Sequence, residues 1–140
     1  MTVPGITFRW NGKEISKELQ ERAYFGALAA ANHFAARLKD NLRKTKGSVV
    51  PPVHSQPGEV PFWITKTYHK SIKIRRRKRQ HTVQIISDDP KGLWLEFGTW
   101  KMAPRPAWRI TLNAEKAQMA EIIGKAMGQQ VTIDTDIAPE

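Results

Sequence analysis

The chain contains no cysteine. Disulfide staples, thiol catalysis and thiolate metal sites are therefore excluded, and a reducing compartment suits it. Long apolar runs are missing too. The longest charge-free stretch, residues 23–36, is rich in alanine and includes Asn32 and His33; it falls short of the ~20 apolar residues that a bilayer-spanning helix needs. The opening MTVPGITFRW has neither the basic nor the apolar region of a secretory signal, so the expectation is a soluble product made in the cytoplasm, with no membrane partner. Catalytic signatures are equally scarce. The four histidines, His33, His54, His69 and His81, show no metal-ligand spacing. There is no HExxH, no nucleophile-elbow pattern and no phosphate loop. Asp88, Glu96 and Lys101 only loosely imitate a metal nuclease, because Glu96 and Lys101 share neither a helix face nor a strand face. Without a nucleophile, an activating base or a metal cluster, hydrolytic and transfer chemistry lack their reagents. The reading is a non-enzyme without catalytic, cofactor-binding or metal residues.

Acidic residues are absent where basic ones concentrate. Residues 63–82 carry eight Lys/Arg and no Asp/Glu, whereas residues 1–62 carry nine against five and residues 83–140 six against eight. Most of the net charge of +10 thus sits in one segment, which points to an acidic partner. The 140 residues suit a single domain, large enough to bury a core unaided.

The hydrophobic pattern gives an order of elements. Ile6, Phe8 and Trp10 alternate before Asn11-Gly12, predicting a short strand and a turn. From Glu14 the period changes, with Ile15, Leu19, Ala23, Ala27, Ala30 or Ala31, Phe34, Leu38 and Leu42 recurring every three or four residues. That predicts one helix of about 30 residues, on the order of 45 Å long. Such length suggests that part of the helix leans on something outside its own domain. The alanine-rich run 27–31 either admits a close backbone neighbour or simply favours helix. Residues 47–63 hold four prolines and two glycines and predict an extended, polyproline-like arm lying on a surface, with a turn at Pro57-Gly58. Thr65 is expected to cap a short helical turn. Ile72 and Ile74, then Val83, Ile85 and Ile86, predict a β-hairpin turning near Arg79-Gln80. Residues 88–92 read as a loop, 93–99 as a strand or helical turn, Pro106 as a helix start, and Trp108 to Met127 as an amphipathic helix ending near Gly128. Residues 128–140 read as a tail with a possible strand. The architecture expected is α+β, a long N-terminal helix and a C-terminal helix packed on a small antiparallel sheet.

Two stretches carry the functional reading. In SIKIRRRKR, Lys73, Arg75, Arg76, Arg77, Lys78 and Arg79 place six cations in seven residues. Residues 73, 75, 77 and 79 share one strand face, while Ile72 and Ile74 share the other, so the core should end near Ile74 and the tip should project. The tip is a candidate contact for nucleic acid or for an acidic protein. Stacking aromatics, usual in single-strand grooves, are missing there. The second stretch, LEFGTWKMAPRPAW, is aromatic, proline-braced and chemically inert.

Taken with its neighbours, that stretch is familiar. SQPGEVPFWITKTYHKSI resembles the S-x-P-G-x-x-P then T-G-x-L-x-x-S-I pattern of the tail-completion or neck family of long-tailed bacteriophages. LWLEFGTWKMAPRPAWRITL is similar to that family's V-E-x-G-T-x-K-M-x-A-R-P-F-L-R-P-A-L. Ser55, Pro57, Gly58, Pro61, Thr65, Ser71 and Ile72 match in the first block. Glu96, Gly98, Thr99, Lys101, Met102, Arg105 and Pro106 match in the second. Lys66 stands where glycine is usual and Tyr68 where leucine is, and Trp108 and Thr111 depart from the second pattern. The resemblance implies a structural virion protein at the head-tail junction, forming a homo-oligomeric ring of six or twelve copies. Its implied neighbours are connector or stopper proteins and tail-terminator or tail-tube proteins, with packaged DNA passing through the lumen.

On this reading residues 96–108 form a docking strip. Gly98 permits a sharp turn, Pro104 and Pro106 fix the exit, and Trp100, Met102 and Trp108 are candidate anchors, a residue mix enriched at interface cores. Trp94 and Trp108 have a competing role as core filler. Glu96 is expected to pair with Arg105 or Arg109, within the chain or across subunits. Pro57, Gly58, Phe62, Trp63, Glu96, Gly98, Thr99, Trp100, Lys101, Met102, Arg105 and Pro106 are the candidate subunit or partner contacts.

Overall fold

The computed structural model describes residues 5–9, 17–63 and 66–128. Strand β1 (Ile6–Arg9) precedes the long helix α1 (Lys17–Arg43). A one-turn helix α2 (Thr67–Lys70) leads into the hairpin β2 (Ile72–Arg77) and β3 (Thr82–Ser87), joined by a 3-10 turn at Lys78–Gln80. Helices α3 (Pro90–Phe97) and α4 (Ala107–Met127) complete the described chain. The expected α+β class is the observed one. The turn at Asn11-Gly12, the Thr65 cap and the tail 129–140 lie outside the described residues.

The sheet is antiparallel in the order β1-β3-β2. Ile74 and Ile6 both stand opposite Ile85, so these three share a face, and Ile72 pairs with Ser87 on that same face. Ile72, Val83 and Ile85 are buried there beneath α1. Lys73, Arg75 and Arg77 occupy the opposite face, and the hairpin runs out of core at Ile74, as the alternation predicted. His81 closes the turn with φ 47°, a left-handed conformation for which histidine is among the more tolerant residues.

From Ala23 onward helix α1 finds support inside the domain, while Lys17, Glu18, Glu21 and Arg22 before it are exposed. Its buried residues run from Ala23 to Leu42 at helical spacing, covered by α4 on one side and the sheet on another. The small residues permit this. Ala30 and Ala31 are fully buried, and a Cβ on Gly26 would meet Ala126 Cβ at 2.9 Å and Ile123 Cα at 3.2 Å. Close approach of α4 is thus the role of that run, and Gly26 belongs to it. Phe34 and Trp108 stack at 5.7 Å between the two helices. Polar clamps fix their pairing, with His33 Nε2 2.6 Å from Glu115 and Asn41 Nδ2 donating to Thr111 Oγ1 at 2.9 Å.

Two local expectations are corrected. Residues 88–92 are not a loop throughout: Asp89 accepts the Lys91 amide at 3.0 Å and Pro90 takes the first helical position, starting α3, an N-cap and N1 pairing that favours helix. Pro51-Pro52 belong to a tight turn rather than an extended segment. Ser48 and Val53 exchange backbone hydrogen bonds at 3.1 and 2.9 Å around it, and the Val50–Pro51 peptide is cis.

Candidate interaction surface

Helix α3 ends because Gly98 adopts φ 77°, ψ 178°, a region open essentially to glycine alone. Its amide caps the helix on Trp94 O at 2.8 Å. A Cβ there would stand 2.8 Å from Met102 O and 3.0 Å from Pro104. The chain then folds into a tight turn in which Thr99 and Met102 exchange backbone hydrogen bonds of 2.9 and 3.2 Å. At its apex Trp100 is 90% exposed, with Lys101 Nζ 4.5 Å from the indole centroid, a cation–π geometry.

The turn is held at both ends. Behind it, Arg105 N donates to Leu95 O at 2.6 Å. Glu96, 1% exposed, accepts the Trp108 amide at 3.0 Å through one oxygen and the Arg109 amide at 2.9 Å through the other. These are free N–H groups of the first turn of α4, where a negative charge also favours the helix dipole. Burial pushes the Glu96 carboxyl above the usual carboxylate range, against the pull of the two amides and of Arg109. Arg109 Nε lies 3.9 Å away, so the expected pairing is internal and with Arg109. Arg105 turns elsewhere, donating from Nε to Ser55 O at 3.1 Å.

That last bond ties the strip to the proline-rich segment. Gly58 N donates to Pro104 O at 2.9 Å. Trp63 and Gly47 close the segment's base, Gly47 N donating to Trp63 O at 2.8 Å and Trp63 N to Thr45 O at 3.0 Å. The expected arm is therefore a closed loop lying on the body of the domain. Lys46 and Lys66 flank the Trp63 ring at 5.4 and 5.9 Å. Between loop and strip runs a groove of about 420 Å³, walled by Leu42, Phe62, Trp63, Leu95 and Met102. Two polar atoms on its lining, Ser55 Oγ and His69 Nδ1, have no hydrogen-bond partner among the described residues. Burial lowers the His69 pKa, and the cations Arg43, Lys70, Lys66 and Lys39 lower it further, keeping the ring neutral near pH 7.

The candidate contacts thus separate by position. Pro57, Gly58, Thr99, Trp100 and Lys101 are exposed; Phe62, Trp63, Gly98, Met102, Arg105 and Pro106 are half-buried; Glu96 is buried. Glu96 belongs to the frame of the strip and not to its face. Of the two tryptophans with a competing core role, Trp108 is buried at 4% and donates Nε1–H to Tyr68 Oη at 3.1 Å, whereas Trp94 is 47% exposed. Burial raises the Tyr68 phenol well above its ordinary pKa. Tyr68 and His69 were missed as surface-shaping residues, although the departure from leucine at Tyr68 was a visible signal. Gly92 was missed likewise; a Cβ on it would meet the Tyr68 ring at 2.7 Å.

The cationic candidates lie apart from this strip. Arg75, Arg76, Arg77, Lys78 and Arg79 are exposed, and none has an acidic partner among the described residues, while Lys73 pairs with Asp88. Lys78 sits 5.8 Å from the Phe25 ring on α1. Lys78 and Arg79 belong to the 3-10 turn, so Arg79 does not extend the strand face of 73, 75 and 77. Among the described residues no cluster of metal-ligating side chains occurs, and no helix is long and apolar enough to cross a membrane. No family model matches the chain, and no curated protein or solved structure is significantly similar to it.

Proposed function

We propose that the protein is a structural, non-catalytic component of a tailed-phage virion, a ring subunit at the head-tail junction that helps join the capsid to the tail. One observation carries this reading. The two sequence blocks that resemble the neck family, about forty residues apart, meet through Gly58–Pro104 and Ser55–Arg105 and present one stiff apolar surface. A ring subunit needs such a surface, since its contacts with the next copy are heterologous and must close. A pre-folded turn also loses little conformational freedom on docking. Copies of the chain and the layers above and below it are the partners.

The test is Trp100→Ala combined with Met102→Ala. Trp100 makes few contacts in the domain and Met102 is only half-buried, so the double variant should lose no more than about 2 kcal/mol and stay folded. Joining of heads to tails, scored as infectious particles, should fail. Normal joining by the double variant refutes the proposal. A second reading, phosphate binding by the hairpin, is favoured by the unpaired cations at 75–79. It requires duplex affinity that falls steeply with salt and disappears when residues 75–79 are replaced by serine. Salt-independent or absent duplex binding removes it.

A further inference from the structure

The groove between the proline-rich loop and the strip joins apolar walls to charge of a single sign. Phe62, Trp63, Leu95 and Met102 supply the apolar surface, while every ionisable side chain on the lining other than the Tyr68 phenol is basic: His54, His69, Lys91 and Arg105. No carboxylate lines it. Lys91 and Arg105 have no acidic partner among the described residues, and Lys46 and Lys66 add further positive charge beside the Trp63 ring. The site favours an anion.

Its polar atoms agree. Ser55 and His69 are only 4% and 9% exposed, and Ser55 Oγ and His69 Nδ1 lack a hydrogen-bond partner among the described residues. Buried polar atoms are rarely left so. A serine hydroxyl can donate, and a neutral imidazole donates from Nδ1 in one of its tautomers, whereas a carboxylate only accepts. At about 420 Å³ the groove has the size of sites that enclose a small ligand or a large side chain.

We infer that the groove receives an apolar side chain carried next to a carboxylate, on a segment of a partner protein that is not a second copy of this chain. The apolar side chain lies against the Trp63 and Met102 walls, and the carboxylate faces the cations and donors. Charge decides against a second copy. Trp100 and Phe25, two exposed rings that it could offer, carry Lys101 and Lys78 at 4.5 and 5.8 Å, and either would set a lysine against Lys91 and Arg105. The inference rests on the reading of the strip as an interface and adds the chemistry of what docks beside it.

An NMR titration of the full, isotope-labelled chain with the peptide acetyl-Asp-Phe-Asp-amide tests this. Added to about 10 mM, enough for a weak single contact, the peptide should shift the amides of Ser55, Trp63, His69, Leu95 and Met102 saturably and leave those of residues 75–79 in place. The neutral acetyl-Asn-Phe-Asn-amide should bind at least about five-fold more weakly. Lys91→Glu, a change at an exposed side chain, should weaken the acidic peptide at least about three-fold with the rest of the spectrum unchanged. Equal affinity for the two peptides, shifts at the hairpin in place of the groove, or no saturable shift overturns the inference. So does a thymidine tetranucleotide that moves the groove amides at lower concentration, which would give the site to nucleic acid. Particle joining is scored separately: normal joining by the Trp100→Ala/Met102→Ala variant removes the head-tail reading, whereas a silent groove in this titration removes the inference alone.

Discussion

Replacing Glu96 by alanine should destabilise the domain more than any other single change in the strip. Its carboxylate accepts two amide protons of the first turn of α4, at 3.0 and 2.9 Å, from a position with 1% exposure. Water cannot take over, so each amide left without an acceptor costs about 1–3 kcal/mol. Removing the carboxylate also removes the cost of burying it, which offsets part of the loss. A net of about 3 kcal/mol follows, or a Tm lower by about 10 °C for a domain of this size. Glu96→Gln keeps one accepting oxygen but turns an NH2 toward the other amide, and should lose about half as much. The carboxylate also leaves a pH signature. Its folded pKa is raised, so between the ordinary carboxylate value and that raised value the folded state holds more proton than the unfolded state. Stability must then fall as pH rises through this window and level off above it. Both alanine and glutamine should abolish that slope. Urea denaturation at a series of pH values reads both effects. An alanine variant within about 0.5 kcal/mol of the parent would refute the capping role.

Three further outcomes follow from the same geometry. Gly98→Ala should cost about 1–3 kcal/mol, because φ 77° is strained for alanine and its Cβ meets Met102 O at 2.8 Å; a Tm within a degree of the parent would contradict it. Gly26→Val should cost about 1–3 kcal/mol by forcing α4 off Ala126 and Ile123, and near-UV circular dichroism of Trp108 should weaken with it. His69, with a folded pKa lowered by burial and by Arg43, Lys70, Lys66 and Lys39, binds its proton less well folded than unfolded. Stability should therefore decline as pH falls from about 6.5 toward the lowered folded value, and His69→Gln should remove that decline in a pH-resolved thermal melt.

Much of this fold was legible because its signals are periodic. The apolar repeat of α1 and the alternation Ile72-Lys73-Ile74-Arg75 each name an element and its buried face without tertiary information. What escaped depends on contacts between distant residues. Asp89-Pro90 is a helix start, but a cluster of Asp, Pro and Gly reads first as a loop, and α3 is held in place by distant partners, Gly92 against Tyr68 and Glu96 on the amides of Trp108 and Arg109. The proline-rich segment read as an extended arm lying on a surface, and its closure into a loop was hidden because its restraints, Gly58 to Pro104 and Ser55 to Arg105, join residues about fifty positions apart. Glu96 illustrates the limit for the strip itself. Its spacing to Arg105 and Arg109 allowed either pairing and either side of an interface, and burial decided both questions. Trp94 and Trp108 share a residue type and a neighbourhood, yet only the one on α4 faces α1.

The exposed apex of the strip also sets how the proposed ring must assemble. Burying one tryptophan removes about 150–250 Å² from water, at most roughly 4–6 kcal/mol. Bringing two molecules together costs an estimated 4–15 kcal/mol in lost freedom. A contact anchored on Trp100 alone therefore leaves almost no surplus, whereas a micromolar complex needs about 8 kcal/mol net. Subunits that meet in pairs should separate again, and only a template that holds several copies at once, so that the loss of freedom is shared among many contacts, should make the ring persist. The isolated protein should then scatter light as a 15.9 kDa monomer at about 10 µM, a concentration well below the weak pairwise affinity. Addition of a head or tail extract should convert it to a ring-sized species, and Trp100→Ala should abolish that conversion while leaving the monomer unchanged. A stable ring formed by the pure chain at micromolar concentration would refute the reasoning, because the strip would then have to bury far more than its one exposed indole.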